Sequence, residues 1–376
     1  MSIFDRDTVG YSMRGRILVP ERFVFDSGKK ALEVDEIPAP PPEPKEPMWS
    51  GIDPAPPLEE LPVDRLVQVF DMERIEGARA KAKSSESENR RRLSFALDCA
   101  AKNNGRRNVP RLHMRQAAGF AAGCFPNFCE PIEAMSEDLV IADAMPAEDF
   151  RISPLLLNGA PGIGKTAFAQ SFASSLGVPF RKVSAGGLQT SAQFAGTAAH
   201  WSNAQTGMVF DMLATSEDAV GVLLIDEVDK IPSDQHHPVL PALLDLLEPE
   251  TAGQFVDESI PLVFDARRLI VLMTSNHIEA IDKTLLSRCS VFDVKDPDAE
   301  QKHAIILRIF ADLTSKAGRQ DIELDCGSAL AAAESGCDLR EISRAARRAF
   351  ARALINGKKR VKIEVAAAPI KRRIGF

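Results

Sequence analysis

The sequence lacks most of the features that would set it apart from ordinary water-exposed globular proteins. Six cysteines are present (Cys99, Cys124, Cys129, Cys289, Cys326, Cys337), and no two form a CxxC pair. Neither a zinc module nor a disulfide framework is expected, and the thiols read as buried residues of a reducing compartment. No run of 18 apolar residues occurs, so no transmembrane helix is expected. The first twenty residues contain no apolar stretch of signal-peptide length, and the expectation is a soluble, cytoplasmic protein with no membrane role. Positive charge is not in excess either. The formal net charge of -7 argues against bulk nucleic-acid binding and leaves room for a local basic patch. Internal repeats are absent.

What is present is a globular composition, 45% hydrophobic and 26% charged over 376 residues. That length suits two or three domains and a core that needs no covalent staple. Residues 1–36 form an N-terminal segment with the apolar cluster Arg22-Phe23-Val24-Phe25, read as one or two strands or a docking peptide. Residues 37–62 are proline-dense and acidic, which makes an extended, semi-rigid linker. Trp49 within it is either an aromatic packed on a neighbouring domain or part of a partner-binding motif. Residues 63–108 read as a helical region, because Leu66, Val69, Phe70, Leu93, Ala96 and Leu97 fall at helical spacings; Asn103-Asn104-Gly105 reads as a turn. Residues 109–296 alternate short apolar strands with helical stretches, the pattern of a parallel sheet covered by helices on both faces. In residues 297–376 the strands stop, and helices over 301–310, 328–333 and 339–356 predict a small all-α lid with a basic tail.

The strongest chemical signal is Gly159-Ala160-Pro161-Gly162-Ile163-Gly164-Lys165-Thr166. It fits GxxxxGK[ST], and it stands between an apolar strand and a helix, the context that motif requires. Such a loop turns its N–H groups toward phosphate oxygens, and the helix N-terminus adds partial positive charge. Lys165 would neutralise β- and γ-phosphate oxygens of ATP, and the Thr166 hydroxyl would ligate Mg²⁺. About sixty residues on, Val222 to Ile225 make a buried strand that ends in Asp226-Glu227, at the strand end where ligands of open α/β sheets bind. Asp226 would hold Mg²⁺ or its waters, and Glu227 would act as general base on the attacking water. A third strand ends in Thr274-Ser275-Asn276, and a polar side chain there would position that water. Arg288, at the end of a short helix, is a candidate finger for a neighbouring subunit. Arg340 opens the last lid helix and would touch the nucleotide from that side.

This order of motifs resembles that of AAA+ ATPases, and within them the ATPase module of Lon protease. Val183-Ser184-Ala185-Gly186-Gly187-Leu188 is similar to Lon's "isLGGv". Leu224 to Ile231 is similar to "LLDEIDKm", and Leu243 to Glu250 to "LLEvLDPEqn". Phe255-Val256-Asp257 through Asp265 resembles "FrDhyl…vpfDls", and Leu285 to Arg288 resembles "pLLDRm". The resemblance covers roughly residues 125–350. It implies nucleotide contacts along Gly159 to Thr166, Asp226 and Glu227 as the Walker B pair, Asn276 as sensor 1, Arg288 as the finger in trans and Arg340 as sensor 2. It further implies a homo-oligomeric ring, in the family most often a hexamer.

Two departures stand out. Lon continues past the lid into a Ser–Lys peptidase, whereas about eleven residues follow Val365 here, so no intrinsic protease activity is expected. Where Lon has an aromatic-aliphatic-Gly step, this chain has Trp201-Ser202-Asn203; Trp201 is either a residue that grips a client polypeptide or an interface or core aromatic. The leading expectation is ATP-driven remodelling of a protein partner. A nucleic-acid-linked ATPase is the alternative, carried by Arg340, Arg344, Arg348 and Arg352 at i, i+4 spacing with Arg347 beside them. A nucleotide-gated scaffold without hydrolysis sits poorly with the intact Asp226, Glu227 and Asn276.

Overall fold

The computed structural model describes residues 11–14, 17–20, 65–82, 87–112, 125–187, 192–197, 205–231, 239–260 and 262–365. The proline-rich stretch with Trp49, the Phe23–Phe25 cluster, Trp201 and the basic tail Lys371 to Arg373 lie outside them. The chain divides into two units, residues 1–61 and 62–376. The first contains an antiparallel hairpin, β1 (Tyr11–Arg14) and β2 (Ile17–Pro20), with Tyr11 opposite Pro20.

The second unit begins with β3 (Leu66–Gln68), α1 (Met72–Ala82), α2 (Ser87–Ala101) and β4 (Arg106–Asn108). β3 and β4 pair antiparallel, with Leu66 opposite Asn108. These two short strands depart from the helical reading of residues 63–108, which α1 and α2 otherwise follow. Leu66 and Gln68 face solvent while Val67 and Val69 are buried, which is the two-residue period of a strand. The segment is not a separate region either. Val67, Phe70, Ile75, Leu97 and Val109 belong to the same hydrophobic core as the central sheet, and Phe70 packs edge-on to Phe210, ring centroids 5.5 Å apart.

After α3 (Cys129–Ala144) the nucleotide-binding layer follows: β5 (Leu155–Asn158), α4 (Lys165–Leu176), β6 (Phe180–Ser184), α5 (Ala192–Ala195), α6 (Met208–Thr215) and β7 (Val222–Asp226). Then come α7 (Val239–Leu247), α8 (Pro249–Ala252), the hairpin β8 (Phe255–Asp257) and β9 (Leu262–Phe264), β10 (Ile270–Ser275), α9 (Lys283–Leu286) and β11 (Ser290–Asp293). Five strands form one parallel sheet in the order β11-β5-β10-β7-β6. The central strands are continuous aliphatic runs, buried throughout apart from their C-terminal residues in β5 and β7, as expected where helices cover both faces. The strand order reverses at β5, so the crevice beyond its C-terminal end is where such sheets bind ligands. β11, absent from the sequence reading, is the short edge strand Ser-Val-Phe-Asp, too brief and too exposed for a clear period.

The lid consists of α10 (Ala299–Lys316), β12 (Glu323–Leu324), α11 (Cys326–Glu334), α12 (Leu339–Asn356) and β13 (Arg360–Val361). Asp298 and Gln301 form a reciprocal capping box on α10. Asp338 caps α12 by accepting from the Glu341 N–H at 2.7 Å. The lid has its own core of Ile306, Phe310, Ile322, Ile342, Ala346 and Phe350. The all-α expectation is corrected here: β12 and β13 pair in parallel, a contact between segments thirty-seven residues apart that no local pattern announces. Among the described residues no helix is long and apolar enough to cross a membrane.

Candidate nucleotide site

β5 delivers the chain to Asn158, whose amide donates to Asp293 of the neighbouring edge strand at 2.6 Å. The chain then turns through residues 159–164 into α4. Gly162 and Gly164 take left-handed φ values of 93° and 107°, open to glycine with little strain. A side chain at Gly162 would also come within 3.3 Å of the Asp338 carboxylate. Ile163 is buried and ties the loop to the core.

Lys165 is 7% exposed. Its ammonium donates to the carbonyls of Gly159 (2.6 Å) and Ala160 (3.0 Å) and to Asn276 Oδ1 (3.0 Å). Burial holds its pKa below the usual lysine value, against the pull of Asp226 and Asp229. The strand end of β7 meets the loop at Asp226, where three groups converge. The hydroxyl of Thr166 donates at 3.2 Å, that of Thr274 at 2.5 Å, and Lys182 Nζ lies 2.5 Å from Oδ2. Burial alone would push Asp226 up; Lys182, Thr274 and Thr166 outweigh it and keep the carboxyl below the usual range.

Glu227 has φ 61° and ψ 51°, a left-handed conformation that costs a non-glycine residue about 1 kcal/mol or more. It is held there by its own N–H, which donates to the Thr274 hydroxyl at 2.9 Å. Thr274 thus fixes both acids at once. The Glu227 carboxylate receives Lys230 Nζ at 2.6 Å. Asn276 is set by β10 and by its N–H to Asp229 at 3.3 Å.

Above these groups lies the lid. A cleft of about 850 Å³ runs between them, lined on one side by Gly162 to Thr166, Asp226, Glu227 and Asn276, and on the other by Ile305, Ile309, Arg340, Arg344 and Arg347. The structure therefore brings Pro161, Gly162, Ile163, Gly164, Lys165, Thr166, Asp226, Glu227, Asn276 and Arg340 to one cleft; Gly159 is not part of its lining and meets it through the Lys165 ammonium that its carbonyl accepts. Arg288 is elsewhere. It lines a separate recess beside Pro249 and Arg267, donates to the Thr284 carbonyl at 2.9 Å, and forms a close, bent ion pair with Glu248 at 2.5 Å.

The residues fit a magnesium nucleotide. Left-handed glycines, a buried lysine and a helix N-terminus make a phosphate cradle. Among the described residues no group of three or more His, Cys, Asp or Glu could hold a metal on its own. Thr166 and Asp226 instead offer the sparse hard-oxygen set of a Mg²⁺ ion that shares its shell with phosphates. Sequence reasoning missed Thr274 and Lys182. Thr274 stood in the Thr-Ser-Asn strand end, noted only for Asn276. Lys182 is one exposed lysine among several, and only the β6–β7 register brings it to Asp226. Phe125, Asn127 and Ile305, which also line the cleft, carry no local signature.

Sheet order, cradle and paired acids are those of a P-loop α/β layer. The family profile "ATPase family associated with various cellular activities (AAA)" matches residues 155–295. The chain resembles the ATPase module of Lon proteases: it is 34% identical over 157 residues to Lon protease of Porphyromonas gingivalis, covering 42% of this chain and 19% of that protein. Lon protease of Halothermothrix orenii matches at 34% over 157 residues, 42% of this chain and 20% of its own length. The chain thus spans about a fifth of the length of these curated relatives. Among solved structures, closed-state Hsp104 with ATPγS and casein aligns with TM-score 0.53 and 18% identity over 68% of this chain and 51% of that one, a likeness of fold.

Proposed function

We propose that this chain hydrolyses ATP with Mg²⁺ and spends the resulting motion on remodelling a protein partner, acting as a homo-oligomeric ring of the hexameric kind. The observation that carries the reading is the convergence of Lys165, Thr166, Asp226, Glu227 and Asn276 under the lid arginine Arg340. Lys165 and the loop N–H groups would hold the β- and γ-phosphates. Mg²⁺, held by Thr166 and Asp226, would supply charge neutralisation at those oxygens. Glu227 would take the proton of the attacking water, released for that purpose from Lys230, and Asn276 would orient the water. Arg340 would read the phosphates from the lid and couple their loss to lid movement. Arg288, away from its own chain's cleft, would complete a neighbour's.

The sequence likeness to Lon supports a protein as the client. Nucleic acid is less well supported, because Arg340, Arg344 and Arg347 line the nucleotide cleft and so are taken from the outward basic stripe. The test is the ATPase rate with an unfolded protein and, separately, with DNA, in the wild type and in Glu227→Gln. The expected result is stimulation by the unfolded protein and a loss of about 100-fold or more in Glu227→Gln with nucleotide binding retained. Stimulation by DNA alone would overturn the client assignment.

A further inference from the structure

Lys182 stands on β6, the edge strand beside β7. In the β6–β7 register Lys182 lies opposite Leu224, and Ser184 lies opposite Asp226. Residues two apart on a strand leave the same face of the sheet, so the Lys182 and Asp226 side chains share a face. A lysine stem is long enough to cover the roughly 7 Å of two strand residues. The Lys182 ammonium reaches Asp226 Oδ2 at 2.5 Å.

That oxygen is shared. The Thr166 hydroxyl donates to Oδ2 at 3.2 Å, nearer than to Oδ1 at 3.4 Å, while the Thr274 hydroxyl takes Oδ1. Thr166 and Asp226, the two residues that fit a Mg²⁺ ion, therefore meet at the oxygen that Lys182 holds. Lys165 is engaged elsewhere, on the carbonyls of Gly159 and Ala160 and on Asn276 Oδ1. A hard divalent cation drawing on Oδ2 meets an ammonium already in place, like charge against like. The lysine is able to yield. Its side chain is 41% exposed, against 15% for Asp226, and a long side chain with water beside it can turn its charge outward at small cost.

We propose that Lys182 competes with Mg²⁺ for Asp226 Oδ2 and thereby sets how strongly nucleotide binding depends on the metal. The inference rests on the reading of the cleft as a magnesium–nucleotide site. Lys182 and the metal are then alternative counter-cations of one carboxylate. With the lysine on Oδ2, Asp226 presents little net charge to the phosphates, and Lys182 gives up that oxygen when Mg²⁺ takes it. Lys182 is accordingly a positioning residue, acting on the nucleotide through Asp226.

Calorimetric binding of ADP to the full chain, once with saturating Mg²⁺ and once with EDTA, tests this. The ratio of the two affinities is the contribution of the metal, and the association of Mg²⁺ with ADP in solution is common to every variant. In Lys182→Met the ratio should rise about 5-fold above the wild-type value. ADP should bind more weakly in EDTA, where Asp226 is left uncompensated, and should keep or gain affinity with Mg²⁺. Lys182→Arg, which keeps the charge, should stay within about 2-fold of the wild-type ratio. A purely structural part for Lys182 would move both affinities together and leave the ratio unchanged, and that result would overturn the proposal. So would a fall in the ratio, or an equal rise in Lys182→Arg. Failure of the wild type to bind ADP in either condition would instead overturn the nucleotide reading, and a wild-type affinity indifferent to Mg²⁺ would overturn the metal reading.

Discussion

Asp265 illustrates how much can depend on one carboxylate. It lies between Arg267 and the buried Arg268, with Oδ2 at 2.8 Å and 2.7 Å from them. Arg268 also donates to the carbonyls of Ala147 and Glu148, so this group joins β10 to the segment ahead of β5. Burial pushes the Asp265 carboxyl up, and the two arginines more than offset it, leaving the pKa below its usual value. A depressed carboxylate stabilises the fold fully above its unfolded pKa of about 3.9, and the contribution is lost as pH falls through the lower folded value. Asp265→Asn should therefore cost about 3 kcal/mol at neutral pH, because Arg268 is left buried and uncompensated. The deficit relative to wild type should shrink below about pH 4. Urea denaturation at pH 7 and pH 3 measures both; a deficit that does not change with pH would mean the charge of Asp265 is not what matters.

At the level of elements, Arg107 joins pieces that are far apart in the chain. It is 1% exposed and donates to the carbonyls of Cys99 (2.9 Å) near the end of α2 and of Leu213 (2.9 Å) and Ala214 (3.2 Å) near the end of α6. Its guanidinium also lies over the Phe70 ring at 5.2 Å. One cation thus satisfies the orphan carbonyls of two helix C-termini, where positive charge is favourable. Arg107→Met should leave those carbonyls buried without donors and cost about 3 kcal/mol or more. Hydrogen exchange should show α2 and α6 losing protection together. Loss confined to α2 would show that the two helices are not coupled through this residue.

On the scale of the whole molecule, the nucleotide cleft lies between two separate cores, that of the sheet and that of the lid. A ligand that contacts both sides ties them together. The position of Arg288 adds a requirement of another kind: paired with Glu248 beside the Pro249 turn, it cannot serve its own chain's cleft. Arg288→Ala should keep nucleotide affinity within about 3-fold while hydrolysis falls by about 1000-fold. Activity in mixtures should fall faster than the fraction of variant chains. A wild-type rate per chain that stays constant on dilution through disassembly would rule out a finger acting between subunits.

Part of this was legible before any coordinates. Gly159 to Thr166, the aliphatic strand that ends in Asp226-Glu227, and the amphipathic helix Leu339–Asn356 are local patterns, and a local pattern is set by the backbone freedom and periodicity of neighbouring residues. The sequence by itself determined the parallel nucleotide-binding layer, its phosphate cradle and the identity of its acids. What only the tertiary structure decided was which distant residues meet them. Lys182 reaches Asp226 through strand register, Thr274 bridges both acids because β10 lies beside β7, and Asn127 faces the cleft because α10 folds back over residues 125–128. The strand of residues 66–68 was misread for the same reason: three residues do not establish a period, and their pairing partner is thirty-eight positions away or more. Contacts of that range come from packing, in which the whole core selects the register, and no window of sequence contains the residues that do the selecting.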